Sequence, residues 1–154
     1  MNIPSHLQKI GTHTWAYTFD AEKDRPNLGY IRGTDMALAV DAGHSSSHVQ
    51  DFYGALEREL LPLPDLTVIT HWHWDHTFGM HAVHGKTMAR PETNRRLREI
   101  RREMQEDPDY ARRFLQSDSC IRKEYAGGVP LIVVPADEEV PDGFEINLGG
   151  VTAR

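Results

Sequence analysis

At 154 residues, 39% hydrophobic and 26% charged, the chain has the composition of one folded domain with a core of its own. Its formal charge of -6 argues against bulk electrostatic attraction to nucleic acid or an anionic membrane. The single cysteine, Cys120, excludes an intrachain disulfide and fits a reducing compartment.

The amino terminus, Met1-Asn2-Ile3-Pro4-Ser5-His6, has no basic region followed by an apolar core, so no signal peptide is expected. No apolar run approaches the roughly 18 residues of a membrane span. The cytoplasm is therefore the expected location. Residues 11–19, aromatic and β-branched, predict a strand. A polar loop covers 21–27, and strands at 28–32 and 36–40 form a hairpin turning at Gly33-Thr34-Asp35.

Ser45-Ser46-Ser47 supplies helix amino-terminal caps, and Val49, Phe52, Tyr53, Leu56 and Leu60 recur at helical spacing over 48–61. Pro62 and Pro64 end that helix. Leu66-Thr67-Val68-Ile69-Thr70 reads as a strand buried on both faces. A short strand follows at 86–89, then helices at 91–106 and from 108 to about 116. Residues 130–134 predict a strand, 137–142 an acidic loop, and 144–154 a hairpin around Gly149-Gly150. The order of elements predicts an α/β domain over residues 1–154, with helices packed on a sheet.

Nine histidines is a high count, and three of them crowd into His71-Trp72-His73-Trp74-Asp75-His76 directly after the buried strand. In an extended segment alternate side chains share a side, so His71, His73 and Asp75 face one way while Trp72 and Trp74 pack on the other. His76 follows where the chain turns into a short helix and bends back to the same cleft. Imidazole nitrogens with a carboxylate are the donor set that suits zinc, with iron or manganese as alternatives. Four donors at this spacing strain a single tetrahedral ion. Splitting them, with His71 and His73 on one metal and Asp75 and His76 on another, is the easier geometry.

This stretch resembles the metallo-β-lactamase-fold hydrolases, whose signature His-x-His-x-Asp-His stands here at residues 71–76 with Gly79 following. The hairpin ending in Asp41-Ala42-Gly43 is similar to that family too, and the resemblance covers most of residues 11–90. It implies an αββα sandwich and a hydrolase of small molecules acting on an ester, thioester, phosphoester or lactam-type bond. By the same resemblance, His71 and His73 bind a first zinc and Asp75 and His76 a second. Asp75 is then the catalytic residue, orienting metal-bound hydroxide, and Asp41 steadies the site from behind.

Complete members of the family add a third histidine, a bridging aspartate and a last histidine from the carboxyl-terminal half, and no histidine follows His84 here. The expectation is an amino-terminal part of the domain, ending just before the third histidine. A chain ending mid-strand exposes a sheet edge, which predicts self-association. The competing reading is a non-catalytic metal-binding or assembly module.

Blander roles are expected elsewhere. His6, His13, His48, His81 and His84 read as surface or core residues, His44 as a surface residue, and Trp72 and Trp74 as packing. Arginines 95, 96, 98, 101, 102, 112 and 113 interleave with acids, as on a solvated, salt-bridged face, so nucleic acid is not an expected partner. Cys120 has no histidine partner in sequence and is not expected to act as a nucleophile.

Overall fold

The computed structural model describes residues 6–154. Residues 1–5, on which most of the signal-peptide reading rests, lie outside that range. Among the described residues no helix is long and apolar enough to cross a membrane.

Seven strands form one sheet in chain order: β1 (Leu7–Lys9), β2 (Thr14–Tyr17), β3 (Leu28–Arg32), β4 (Ala37–Val40), β5 (Leu66–Val68), β6 (Lys86–Ala89) and β7 (Glu138–Glu139). β1 to β4 form an antiparallel meander, and β4 to β7 run parallel. The predicted hairpin holds in register, with Ile31 opposite Leu38 and Gly29 opposite Val40.

Helix α1 (Ser46–Arg58) makes the crossover between β4 and β5. It is capped by Ser45, whose hydroxyl accepts from the His48 amide. A four-residue helix, α2 (Trp74–Thr77), and a 3-10 turn (Met80–Ala82) join β5 to β6. Helices α3 (Pro91–Glu106), α4 (Tyr110–Leu115) and α5 (Ser119–Glu124) then lead to β7. A separate hairpin, β8 (Ile146–Asn147) with β9 (Thr152–Ala153), closes the described chain.

Strand alternation sorts the core into two faces. Leu28, Tyr30, Ala37 and Ala39 point toward α1 and pack on Phe52, Ala55 and Leu56. Farther along that side Ala89 meets Leu97 and Ile100 of α3. Leu38, Leu66 and Met88 point the other way, where Leu148, next to β8, packs on them. Ile31, Val40, Val68 and Ile146 are only partly covered there and line an open apolar cleft of about 540 Å³.

Several elements differ from the sequence reading. The strand expected over residues 11–19 is β2, confined to Thr14–Tyr17, and the edge strand β1 before it has no counterpart in the sequence reading. Helix α5 was also missed. Residues 130–134 form no strand, although Leu131, Val133 and Val134 do pack into the core beside α3. Pro130 and Pro135 bracket that segment and lack the N–H a ladder needs.

The place beside β6 is taken instead by the acidic segment. The Asp137 carboxylate accepts from the Thr87 amide at 2.9 Å and from its hydroxyl at 3.1 Å. Asn94 of α3 brackets Ala136, accepting from its amide at 2.7 Å and donating to its carbonyl at 3.2 Å. These side chains steer residues 138–139 onto the sheet.

Candidate metal centre

The site begins where β5 stops. The Ile69 N–H still donates to the Met88 carbonyl of β6 at 2.9 Å, but the Thr70 N–H leaves the ladder and donates to Asp41 Oδ1 at 2.8 Å. Asp41 sits just past β4 with a left-handed backbone, φ 67°. Aspartate is among the few residues that tolerate this conformation. The turn aims a buried carboxylate across to the neighbouring strand.

Asp41 organises two imidazoles. Its Oδ2 accepts from His76 Nδ1 at 2.7 Å, so the proton lies on Nδ1 and Nε2 keeps its lone pair. The Thr70 hydroxyl has one proton and donates it to Asp41, at 3.0 and 2.9 Å from the two carboxylate oxygens. It must then accept from His71 Nδ1, 2.9 Å away. That fixes His71 as the same tautomer, again with Nε2 free. Thr70 thus relays the orienting effect of Asp41, a role the sequence did not signal.

The chain turns helical earlier than the sequence suggests, at Trp74, so Asp75 reaches the site from the first turn of α2 and not by strand alternation. The Thr77 hydroxyl locks that turn by donating to the carbonyls of Trp72 and His73, both at 2.9 Å. The result still gathers the predicted residues. Ring centroids of His71 lie 4.9 Å from His73 and 4.2 Å from His76, and His76 Nε2 is 3.5 Å from Asp75 Oδ2.

Two donors on one tetrahedral zinc, each bonded at about 2.1 Å, stand about 3.4 Å apart. The His76–Asp75 separation is that of a shared ion. Among the described residues no group of three or more His, Cys, Asp or Glu side chains is arranged to hold a metal. Asp75 and His76 thus stand as one pair of donors at a separation that a zinc ion could bridge, short of a full coordination shell.

Trp72 and Trp74 pack against the core around Ala89, Leu97 and Ile100, as expected, and Trp72 also carries the Arg96 guanidinium 5.0 Å from its ring centroid. Gly79 belongs to the same fold of chain. A Cβ there would stand 2.1 Å from the Ala42 carbonyl oxygen, so no larger residue fits without moving the Asp41 turn. The arginine-rich helices are laced with ion pairs, among them Arg96 with Glu99 and Glu103, and Arg113 with Asp107.

His44 departs from its expected surface position. It is fully buried, not on the surface. Its Nδ1 lies 3.1 Å from the Lys23 carbonyl and its ring packs edge-on against Tyr125. The polar hollow of about 430 Å³ bounded by Tyr17, Asp20, Lys23, Arg25, Asp51 and Arg58 is lined by none of the residues 71–76.

Folding shifts the histidines in opposite directions. Burial lowers His44, His71 and His81, and pushes His48 down to about 2. Burial also acts to lower His76, but the hydrogen bond and charge of Asp41 outweigh it and raise that imidazole. A lowered imidazole takes up its proton at lower pH in the folded chain than in the unfolded one. Its stability contribution is intact above about pH 6.5 and lost as pH falls below it. His76 has the opposite sign, stabilising at low pH and losing that effect as pH rises through its raised value. The lowered set is larger. For His48 alone the loss reaches about 2 kcal/mol at about pH 5. The metal-free chain is expected to melt at lower temperature at about pH 5 than at about pH 7.5 by circular dichroism; a higher Tm in acid would contradict this.

Fold and site together define a metallo-β-lactamase-type α/β domain, and the chain belongs to the metallo-β-lactamase superfamily, whose family model matches residues 22–153. Among solved structures it is similar to a motif mutant of the metallo-β-lactamase from Cronobacter sakazakii, with TM-score 0.66 and 16% identity over 97% of this chain and 52% of that one. It is also similar to BJP-1, a subclass B3 metallo-β-lactamase of Bradyrhizobium japonicum, with TM-score 0.61 and 15% identity over 97% and 50%. A third is FIM-1 of Pseudomonas aeruginosa in its mono-zinc form, with TM-score 0.55 and 15% identity over 94% and 54%. The chain spans about half the length of these proteins. At such identities the likeness is one of fold. No curated protein matches the chain.

Proposed function

We propose that this chain is the amino-terminal part of a zinc-dependent hydrolase domain and supplies one side of its metal centre. The observation that carries the reading is the pair of Asp41-oriented imidazoles, His71 and His76, with His76 Nε2 at 3.5 Å from Asp75 Oδ2. His71 and His73 would hold one ion, Asp75 and His76 a second. Superfamily membership and the zinc named for the neighbour FIM-1 support zinc as the metal. The half-length match supports further ligands from the rest of the complete protein.

Bound zinc would supply a water acidified to near neutrality and positive charge against a developing oxyanion. The chain's own residues do the positioning. Asp41 and Thr70 hold two imidazoles in the ligating tautomer, and Asp75 would orient the attacking water through its carboxylate. The substrate class is a small molecule with an ester, thioester, lactone, lactam or phosphoester bond. The single cysteine favours a reducing compartment such as the cytoplasm. The half-covered apolar face beside β8 and β9 supports self-association, which sedimentation would read as a species above monomer mass.

Assaying the complete protein against a panel of these bonds, with and without a chelator, tests the reading. Turnover lost on chelation and regained with zinc is the expected result. Zinc binding without turnover on any of them would favour the non-catalytic module.

A further inference from the structure

Behind the metal centre lies an ion pair for which the proposed chemistry has no use. Glu124, at the end of α5, has a side chain with 0% exposure, and its Oε2 accepts from Arg25 Nε at 2.7 Å. Arg25 is itself 5% exposed and donates from Nη1 to Asp51 at 2.7 Å. The other Glu124 oxygen accepts a short hydrogen bond from the Ser45 hydroxyl. The next residue, Tyr125, donates its hydroxyl to the His44 carbonyl at 2.7 Å. A buried pair of this kind is a poor source of stability, because removing two charges from water costs about as much as their attraction returns. It does fix direction.

Three pieces of chain distant in sequence meet at these atoms. The loop at 20–27 is closed by reciprocal bonds between the backbones of Asp20 and Arg25, at 3.0 and 2.9 Å. Its Lys23 carbonyl accepts a hydrogen bond from His44 Nδ1 at 3.1 Å. A carbonyl only accepts, so this bond also sets the His44 tautomer. Residues 44 and 45 continue directly from the Asp41-Ala42-Gly43 turn. That turn is bonded forward to the motif, Ala42 N–H to the His76 carbonyl at 2.9 Å and Gly79 N–H to the Gly43 carbonyl at 3.1 Å.

We infer that Arg25 and Glu124 are positioning residues for the metal centre, clamping the 20–27 loop and α5 onto residues 44–45 and so fixing the turn that aims Asp41 at His76. This rests on the metal reading only for its consequence. The clamp itself is a statement about the turn.

The double substitution Arg25→Met/Glu124→Met tests it. Replacing a buried pair by apolar side chains of similar volume is often neutral or stabilising, so this variant separates direction from stability. Glu124→Gln alone removes the buried charge facing Arg25 Nε and leaves the Arg25–Asp51 contact in place, and serves as the second variant. At matched Tm, amide hydrogen exchange at residues 21–27 and 41–46 is expected to speed up about tenfold or more in the double variant. Its affinity for cobalt(II), read from the visible bands of the metal, is expected to fall about tenfold or more, with the band positions shifted.

Unchanged exchange in the 41–46 segment would overturn the inference, and so would faster exchange with unaltered cobalt affinity and bands. Should the wild-type chain bind no cobalt, the metal reading itself fails. The exchange at 41–46 then decides the clamp without it.

Discussion

Replacing Asp41 with asparagine is expected to weaken zinc binding by about 10–100-fold while leaving the fold intact. The shape is conserved and asparagine also tolerates the left-handed backbone at this position. What changes is proton bookkeeping. The amide can keep one oxygen for the Thr70 N–H, but its NH2 group then faces His76 Nδ1, where a carboxylate oxygen stood at 2.7 Å. Two donors cannot share that contact, so His76 must move its proton to Nε2, the atom needed for the metal. Calorimetric zinc titration beside a thermal melt reads both effects. An affinity equal to wild type would show that Asp41 does not set the tautomer. Asp41→Ala is harsher, since it also strips the acceptor from a buried backbone N–H, a loss of about 1–3 kcal/mol.

The second large effect concerns Asp75. In the complete protein, Asp75→Ala is expected to lower kcat on the order of 10²–10⁴-fold, the span of a positioned proton-handling group, while the His71–His73 pair keeps part of the metal. The geometry gives the reason. Asp75 stands in the first turn of α2, partly exposed, its Oδ2 3.5 Å from His76 Nε2. Its second oxygen has no structural duty comparable to the four contacts of Asp41. Metal analysis alongside steady-state kinetics separates loss of chemistry from loss of metal. A wild-type kcat in the variant would remove Asp75 from the mechanism.

Much of this site can be read from residue order alone. His71, His73, Asp75 and His76 fall within six positions after a buried apolar run, and the structure brings them together at that strand's end. Period and caps likewise place α1 and α3, because their burying faces recur at helical spacing. Asp41 was reached through resemblance and not through spacing, as it lies 35 residues from its partner.

Features set by tertiary partners stayed hidden. Thr70 looks like any strand-ending threonine until Asp41 and His71 flank its hydroxyl. His44 reads as a polar loop residue because its burial comes from Tyr125, far along the chain, and from the Lys23 carbonyl. The Arg25–Glu124 pair spans 99 residues and has no local pattern. The segment 130–134 misled for the opposite reason: its apolar run is real, but its prolines let it fill the core without joining the sheet, and a polar segment stabilised by Asp137 and Asn94 took the edge instead.

Zinc counted by equilibrium dialysis, for the wild-type chain and two paired variants, bears most directly on the two-pair arrangement. His71→Ala/His73→Ala and Asp75→Ala/His76→Ala should each lose about half of the metal held by the wild type, with circular dichroism unchanged. Zinc retained in full by both paired variants would mean that these four side chains are not the ligands.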